Sequence, residues 1–266
     1  MPPDPSALLF DLDGTVYVGE QAVPGAADTL AQLHRTGTAY RFITNTTSRS
    51  RAMLAERLRG FGIDASPGDI QTPMLAAAAA LRERGCCVVA PFSPAASLPD
   101  LGSLTLRGGV SGQAATAPDA ILVGDLGDRW TYGLMQEAFE YLMAGAAFIA
   151  LSRDRYFRRG DGLALDAGPF VAGLEYAAGR EAVVVGKPSG AFFHAAAASL
   201  GVPAASIAVV GDDLWSDVHG AQQAGLAGWQ VRTGKFNSEA LAASGIQPDR
   251  ILNSIADVLP ALRRPA

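Results

Sequence analysis

Short apolar runs alternate with longer stretches of helical periodicity along most of the chain. The first run, Ala7 to Phe10, ends at Asp11. Pro24 and Gly25 open a predicted helix that closes near Gly37, and Tyr40 to Ile43 reads as the next strand. The polar cluster Thr44 to Ser48 follows. Ser48 is placed to cap a helix whose Leu54, Leu58 and Phe61 share one face, and Gly60 and Gly62 mark its end. In the middle of the chain, Cys86 to Ala90, Ile121 to Val123 and Phe148 to Leu151 read as strands. Pro73 to Arg84, Tyr132 to Met143 and Pro169 to Ala178 read as helices. The stretch from Pro91 to Pro118 is rich in Gly, Ser, Pro and Ala and predicts a weakly structured loop or surface insertion.

Stronger signals return after Gly179. Ala182 to Val185 is strand-like and leads into Gly186 and Lys187. Ser189 is placed to cap a helix through Leu200, and Ile207 to Val210 is a strand leading into Asp212 and Asp213. Gly228 to Val231 predicts a further strand and Ile255 to Leu262 a closing helix. This alternation is the pattern of an α/β protein with a mainly parallel sheet, and no solenoid-type repeat interrupts it.

Composition narrows the picture. With 266 residues, 49% hydrophobic and 18% charged, the chain can bury a core without disulfide or metal staples. Its formal net charge of -5, without a run of Lys or Arg, argues against nucleic acid as a partner. No apolar segment approaches the roughly 20 residues that span a bilayer, and the N-terminal MPPDPS has no signal-peptide character. Cys86 and Cys87 are adjacent in a predicted buried strand, where side chains alternate and a disulfide is badly placed. They read as two small apolar residues of a reducing, cytoplasmic setting.

The candidate chemistry lies in four polar clusters, each directly after a predicted strand. These are Asp11-Leu12-Asp13-Gly14-Thr15, Thr44-Asn45-Thr46, Gly186-Lys187-Pro188, and Gly211-Asp212-Asp213 with Asp217 a turn later. Ligand crevices of open parallel sheets lie beyond the carboxyl ends of the strands, so neighbouring strands would bring all four together. Asp11, Asp13, Asp212, Asp213 and Asp217 would then crowd negative charge that needs a cation. Hard carboxylate oxygens without His or Cys suit Mg²⁺. Lys187 and the Thr44 hydroxyl, with backbone N–H groups near Asn45, would hold phosphoryl oxygens.

In that arrangement Asp11 is the candidate nucleophile and Asp13 the candidate general acid and base. Asp212 completes the expected metal site with Asp11 and the Asp13 carbonyl, and Asp213 and Asp217 stand as metal or supporting ligands. Taken singly, a DxD, a strand-end Asp pair, a lysine before a helix or a Thr-Asn turn is ordinary. Their order after four strands is not. His34, His194 and His219 are dispersed and read as structural or surface residues, and Trp215 as packing beside the metal loop. Tyr156, Phe157 and the charges Arg153, Asp154, Arg155, Arg158 and Arg159 form a predicted loop, balanced between a solvated surface and a substrate-selecting role.

DLDGT, the Thr44-Asn45 cluster, GKPS and GDDLWSD resemble, in order, the four motifs of the haloacid dehalogenase-like phosphatases. The insertion between the second and third resembles the type IIA cap of that superfamily, the branch of NagD-like nucleotidases and pyridoxal phosphate phosphatases. The segments DRWTYGLMQEAFEYL, RYFRRGDGLALDAGPF and QVRTGKF are similar to phospholysine phosphohistidine inorganic pyrophosphate phosphatase and its relatives. That phosphatase has Ser at the position of Asp13, so its substrates are not carried over.

The resemblance implies a three-layer Rossmann-like core of residues 1–80 and 183–266, with an α/β cap at 81–182. It implies Asp11 as nucleophile, Asp13 as acid and base, Thr44, Asn45 and Lys187 on the phosphoryl group, and Mg²⁺ on Asp11, Asp13 and Asp212. The expected activity is hydrolysis of small phosphate monoesters, with pyrophosphate or other phosphorylated metabolites as further substrates. Arg153, Asp154, Arg155 and Tyr156 are the candidate selecting residues, and a homodimer through the cap is implied. The rival expectation is a phosphoryl-accepting or phosphate-binding module without steady turnover; dehalogenation, which has no need of the metal aspartates, ranks lower.

Overall fold

A computed structural model describes residues 5–112, 116–159 and 162–262. The chain forms two compact units, Met1–Thr44 with Ala52–Gln71 and Lys187–Ala266, and Asn45–Arg51 with Thr72–Gly186.

The first unit is built on a six-stranded parallel sheet. Its order is Arg250–Leu252, Ala227–Val231, Ile207–Gly211, Ala7–Asp11, Ala39–Ile43, Ile70–Gln71. The two central strands, ALLFD and IAVVG, are buried at every position, as continuous apolar runs covered on both faces must be. Alternation then sorts their side chains. Leu8, Phe10 and Val210 pack with Leu30, Leu33, Leu54, Leu58 and Val258, which come from the helices Ala26–Arg35, Arg51–Gly60 and Val258–Leu262. Both neighbours of Ala7–Asp11 follow it in the chain, with Ala39–Ile43 and Ile70–Gln71 on one side and Ile207–Gly211 onward on the other, so sheet order reverses there. The crevice of such a sheet opens at that reversal, beyond the carboxyl end. Asp11, paired with Ile43, is the last residue of the strand.

The second unit has a five-stranded parallel sheet, ordered Val183–Val184, Ala147–Ala150, Ala120–Val123, Val88–Phe92, Thr105–Leu106. Ile121 and Val123 face Ala138, Leu142, Val171 and Leu174 of the helices Tyr132–Met143 and Ala167–Ala178. Ala120 and Leu122 face Met74, Ala77 and Leu81 of the helix Pro73–Glu83. The period of two is what allows one strand to serve both layers. The segment after Thr44 also belongs here: Ser93 Oγ donates to the Thr47 carbonyl at 3.1 Å, and the Asp125 N–H to Thr47 Oγ1 at 3.1 Å.

Several local expectations change. The run before Lys187 forms a strand of the second unit's sheet, not of the first. Cys86 and Cys87 precede their strand, and Cys87 is exposed; Asp119 Oδ2 accepts from the Cys87 and Val88 N–H groups instead. The helix expected from Ser48 begins at Arg51, and Ser189 makes no capping bond. The Pro91–Pro118 stretch contributes the edge strand Thr105–Leu106 and 3₁₀ turns at Ala95–Leu101 and Gly109–Ser111; residues 113–115 lie outside the described ones. The loop expected around Tyr156 is half a hairpin, Tyr156–Arg159 against Gly162–Leu165.

Candidate active site

Asp11, Asp212, Asp217 and Lys187 meet in the first unit, and all four are buried. One carboxylate oxygen from each aspartate lies within 4.8 Å of the others. Lys187 Nζ donates to Asp11 Oδ1 and to Asp217 Oδ1, each at 2.5 Å. Asp11 ends its strand, and Asp212 directly follows the neighbouring strand Ile207–Gly211. Asp217 arrives on a short π-helical turn, Leu214–His219, that brings it back beneath Gly211. A Cβ at Gly211 would stand 2.3 Å from the Asp217 Cβ, so only glycine allows that approach.

Asp213 does not enter the carboxylate cluster. Its Oδ1 caps the turn, accepting from the Trp215 and Ser216 N–H groups at 3.0 Å, and its Oδ2 accepts from Lys235 Nζ at 3.1 Å. Two further residues fix Asp212. The Lys235 N–H donates to Asp212 Oδ2 at 2.6 Å, and Gln230 Nε2 donates to the Asp212 carbonyl at 2.6 Å. Gly14 and Gly234, with φ of +97° and +60°, leave room for that carboxylate: a Cβ on either would lie 2.0 Å from Asp212 Oδ2. Sequence reasoning gave Gln230, Gly234 and Lys235 no role. The signal available was a Gly-Lys pair just past the strand Ala227–Val231, at the same sheet end as Asp11.

The electrostatics follow from burial. Desolvation raises the Asp11 carboxyl, opposed by Lys187. It raises Asp212 well above the usual range, reinforced by the charges of Asp11 and Asp217. It pushes Asp217 up to about 7 despite Lys187. Burial by itself would lower Lys187, but the two carboxylates it touches outweigh that and keep it cationic. Asp213 is held low: burial is outweighed by Lys235 and the backbone N–H groups. Carboxylates that strain to stay ionised while crowded within 4.8 Å form a site a divalent cation would relieve. Their oxygen-only donor set fits Mg²⁺.

Asp13 sits on the turn after the first strand and is exposed. Loss of hydration raises its carboxyl, with Arg57 and Lys235 opposing. Thr44 is buried directly beyond the strand Ala39–Ile43, and its N–H donates to the Gln71 carbonyl at 3.2 Å. Asn45 belongs to the second unit, where its Nδ2 donates to Asp154 Oδ2 at 3.1 Å. There Arg153 pairs with Glu175 at 2.6 Å, and the Arg155 guanidinium lies 5.7 Å from the Tyr156 ring centroid. His194 Nε2 lies 2.9 Å from the Ala224 carbonyl oxygen, and His219 packs edge-on against Trp215, 5.9 Å between centroids. His34 is exposed.

A strand-end aspartate beside a lysine and a carboxylate pair can be compared with known proteins. The haloacid dehalogenase-like hydrolase family model matches residues 8–96, and a HAD-hydrolase-like model matches residues 184–258. The chain belongs to the haloacid dehalogenase-like hydrolases. It is 39% identical over 232 residues to haloacid dehalogenase-like hydrolase domain-containing protein 2 of Pongo abelii, covering 87% of this chain and 86% of that protein. It is 34% identical over 265 residues to the phospholysine phosphohistidine inorganic pyrophosphate phosphatase of Bos taurus, covering 96% and 93%.

Among solved structures, p-nitrophenyl phosphatase from Archaeoglobus fulgidus is 29% identical with a TM-score of 0.88, over 97% of this chain and 100% of that one. A glycerol phosphate phosphatase from Mycobacterium tuberculosis, in complex with magnesium, is 30% identical with a TM-score of 0.84, over 96% and 76%. This hydrolase is therefore a phosphatase of the family. No helix among the described residues is long and apolar enough to cross a membrane.

Proposed function

We propose that this haloacid dehalogenase-like phosphatase is Mg²⁺-dependent and hydrolyses small phosphate monoesters through an aspartyl phosphate on Asp11. The observation that carries this reading is the buried Asp11–Asp212–Asp217 cluster with Lys187 bonded into it. Asp11, Asp212 and the Asp13 carbonyl would hold the ion, with Asp217 beside them. When bound, the cation neutralises the crowded carboxylates and draws charge from the phosphoryl oxygens.

An Asp11 oxygen forms the new bond to phosphorus as the ester P–O bond breaks. Asp13 gives its proton to the departing oxygen. Asp13, now ionised, takes a proton from water; the water oxygen bonds to phosphorus, the Asp11–phosphorus linkage breaks, and inorganic phosphate leaves. Lys187 offsets the charge of the phosphoryl oxygens, and the Thr44 hydroxyl and the Asn45 amide orient them by hydrogen bonds, so that attack is in line.

In this reading residues 81–182 act as the cap that carries specificity, with Arg153, Arg155 and Tyr156 as selecting side chains. A homodimer through that cap and a cytoplasmic setting belong to the same reading. The test is turnover of p-nitrophenyl phosphate with Mg²⁺, with EDTA, and in Asp11→Asn. Turnover with Mg²⁺ that disappears in both other conditions supports the reading. Single phosphorylation of Asp11 without turnover would make the chain a phosphoryl-accepting module instead, and full activity in EDTA would remove the metal.

A further inference from the structure

Arg57 lies on the helix Arg51–Gly60, remote in sequence from every cluster that carries the chemistry. Its guanidinium stands 4.3 Å from the centroid of the Tyr17 ring and 5.8 Å from that of Phe61. Nη2 donates to the Gly19 carbonyl and, at 3.2 Å, to Glu20 Oε1. Tyr17, Gly19 and Glu20 belong to a small hairpin, Tyr17–Val18 against Gln21–Ala22, whose ordered geometry a pair of two-residue strands does not secure alone.

That hairpin fixes the turn bearing Asp13. The Gly14 N–H donates to the Tyr17 carbonyl at 2.7 Å, and the Tyr17 and Val16 N–H groups donate to the Leu12 carbonyl at 3.1 and 2.9 Å. Asp13 itself forms a bridge with Tyr17. Beside the bonds made by Thr15, Val16 and Thr233, Tyr17, the residue on which Arg57 is stacked, thus restrains the backbone on both sides of Asp13 and bridges Asp13 itself. The Arg57 side chain is only 14% exposed, while Glu20 is 84% exposed. The ion pair is a rim contact of little worth. The stack and the carbonyl bond are the anchoring contacts, and they need a planar guanidinium rather than an ammonium.

We propose that Arg57 is a positioning residue for proton delivery by Asp13, holding the Tyr17–Ala22 hairpin so that the Asp13 carboxyl meets the departing ester oxygen. This rests on the acid assignment of Asp13 made above. The proton concerned is the one Asp13 transfers as the ester P–O bond breaks; Arg57 neither gains nor loses one. A displaced acid harms esters that need protonation on departure more than those that do not. Phenolate, with a conjugate-acid pKa near the tyrosine value of about 10, needs the proton at neutral pH far more than p-nitrophenolate does.

The experiment compares kcat/KM for phenyl phosphate and p-nitrophenyl phosphate in wild type, Arg57→Met, Arg57→Lys and Asp13→Asn, with Mg²⁺. The ratio between two substrates cancels the fraction of folded enzyme, so partial unfolding of a variant does not disturb it. Both Arg57 variants should lose about tenfold more on phenyl phosphate than on p-nitrophenyl phosphate, in the same direction as Asp13→Asn, and Arg57→Lys should not restore the ratio. Equal losses on both esters in the Arg57 variants, beside a selective loss in Asp13→Asn, would overturn the role of Arg57 and leave Asp13 as acid. Equal losses in Asp13→Asn as well would overturn the acid assignment and the proposal with it.

Discussion

Lys187 Nζ lies 2.5 Å from Asp11 Oδ1, a bond between residues 176 positions apart. The same nitrogen reaches Asp217 Oδ1 at 2.5 Å, so one ammonium separates two buried carboxylates that would otherwise repel. Lys187→Met keeps the stem and removes the charge. Activity should fall about 100- to 1000-fold, the range for loss of one donor to a reacting oxyanion. Leaving buried carboxylates unpaired should cost about 3–5 kcal/mol of stability at neutral pH. The stability loss should shrink as pH falls below about 7, because Asp217 protonates there even with Lys187 present and the charge that Lys187 offsets is gone. Steady-state rates and denaturant melts at two pH values check both parts.

The metal-free chain should lose stability as pH rises. Burial raises Asp11 and Asp212 and pushes Asp217 up to about 7. An unfolded aspartate releases its proton near about 3.9, so above that value the folded chain holds protons the unfolded chain has lost. The contribution of these groups is therefore fully favourable below about pH 4 and declines as pH climbs through about 7. A bound cation must displace the same protons. Melting temperatures in EDTA should carry this decline, and the increment given by Mg²⁺ should be larger at pH 8 than at pH 5. An increment that shrinks with rising pH would contradict the cluster as the metal site.

What the sequence disclosed, and what it hid, follows from how each feature is encoded. Ala7–Asp11 and Ile207–Gly211 were legible because a strand buried on both faces must be apolar throughout, and Asp11 and Asp212 stand where those runs stop. Asp217 was legible as an acid near the site, but its place in the cluster depends on a π-helical turn that periodicity does not signal. Val183–Val184 was misassigned to the first sheet because an apolar pair says nothing about which sheet it joins. Tyr17–Val18 and Gln21–Ala22 are too short for any period to register. Arg57 reads as one more charge on a helix, since its closest ring contact is with Tyr17, 40 positions earlier. Gly234 is marked in sequence only by the Gly-Lys pair it forms after a strand; its meaning is the Asp212 carboxylate that occupies the space a Cβ would take.

Asp154 provides a sharp test of the proposed role of Asn45. From sequence it stood among the selecting residues, yet its Oδ2 accepts the Asn45 Nδ2 at 3.1 Å, and its own N–H donates to Ser152 Oγ at 3.0 Å. A carboxylate engaged in orienting a phosphate-binding amide affects every phosphate ester alike, because the phosphoryl group is the part they share. A carboxylate reading the leaving group affects each ester differently. Asp154→Ala removes this acceptor from the Asn45 amide, so on the proposed role of Asn45 kcat/KM should fall about tenfold by one factor across a panel of sugar, nucleoside and aryl phosphates. Asn45→Ala should produce the same uniform fall, and the double variant should be no worse than either single one, as coupled partners require. A change in the rank order of substrates in Asp154→Ala, with additive losses in the double variant, would return Asp154 to the role of substrate selection.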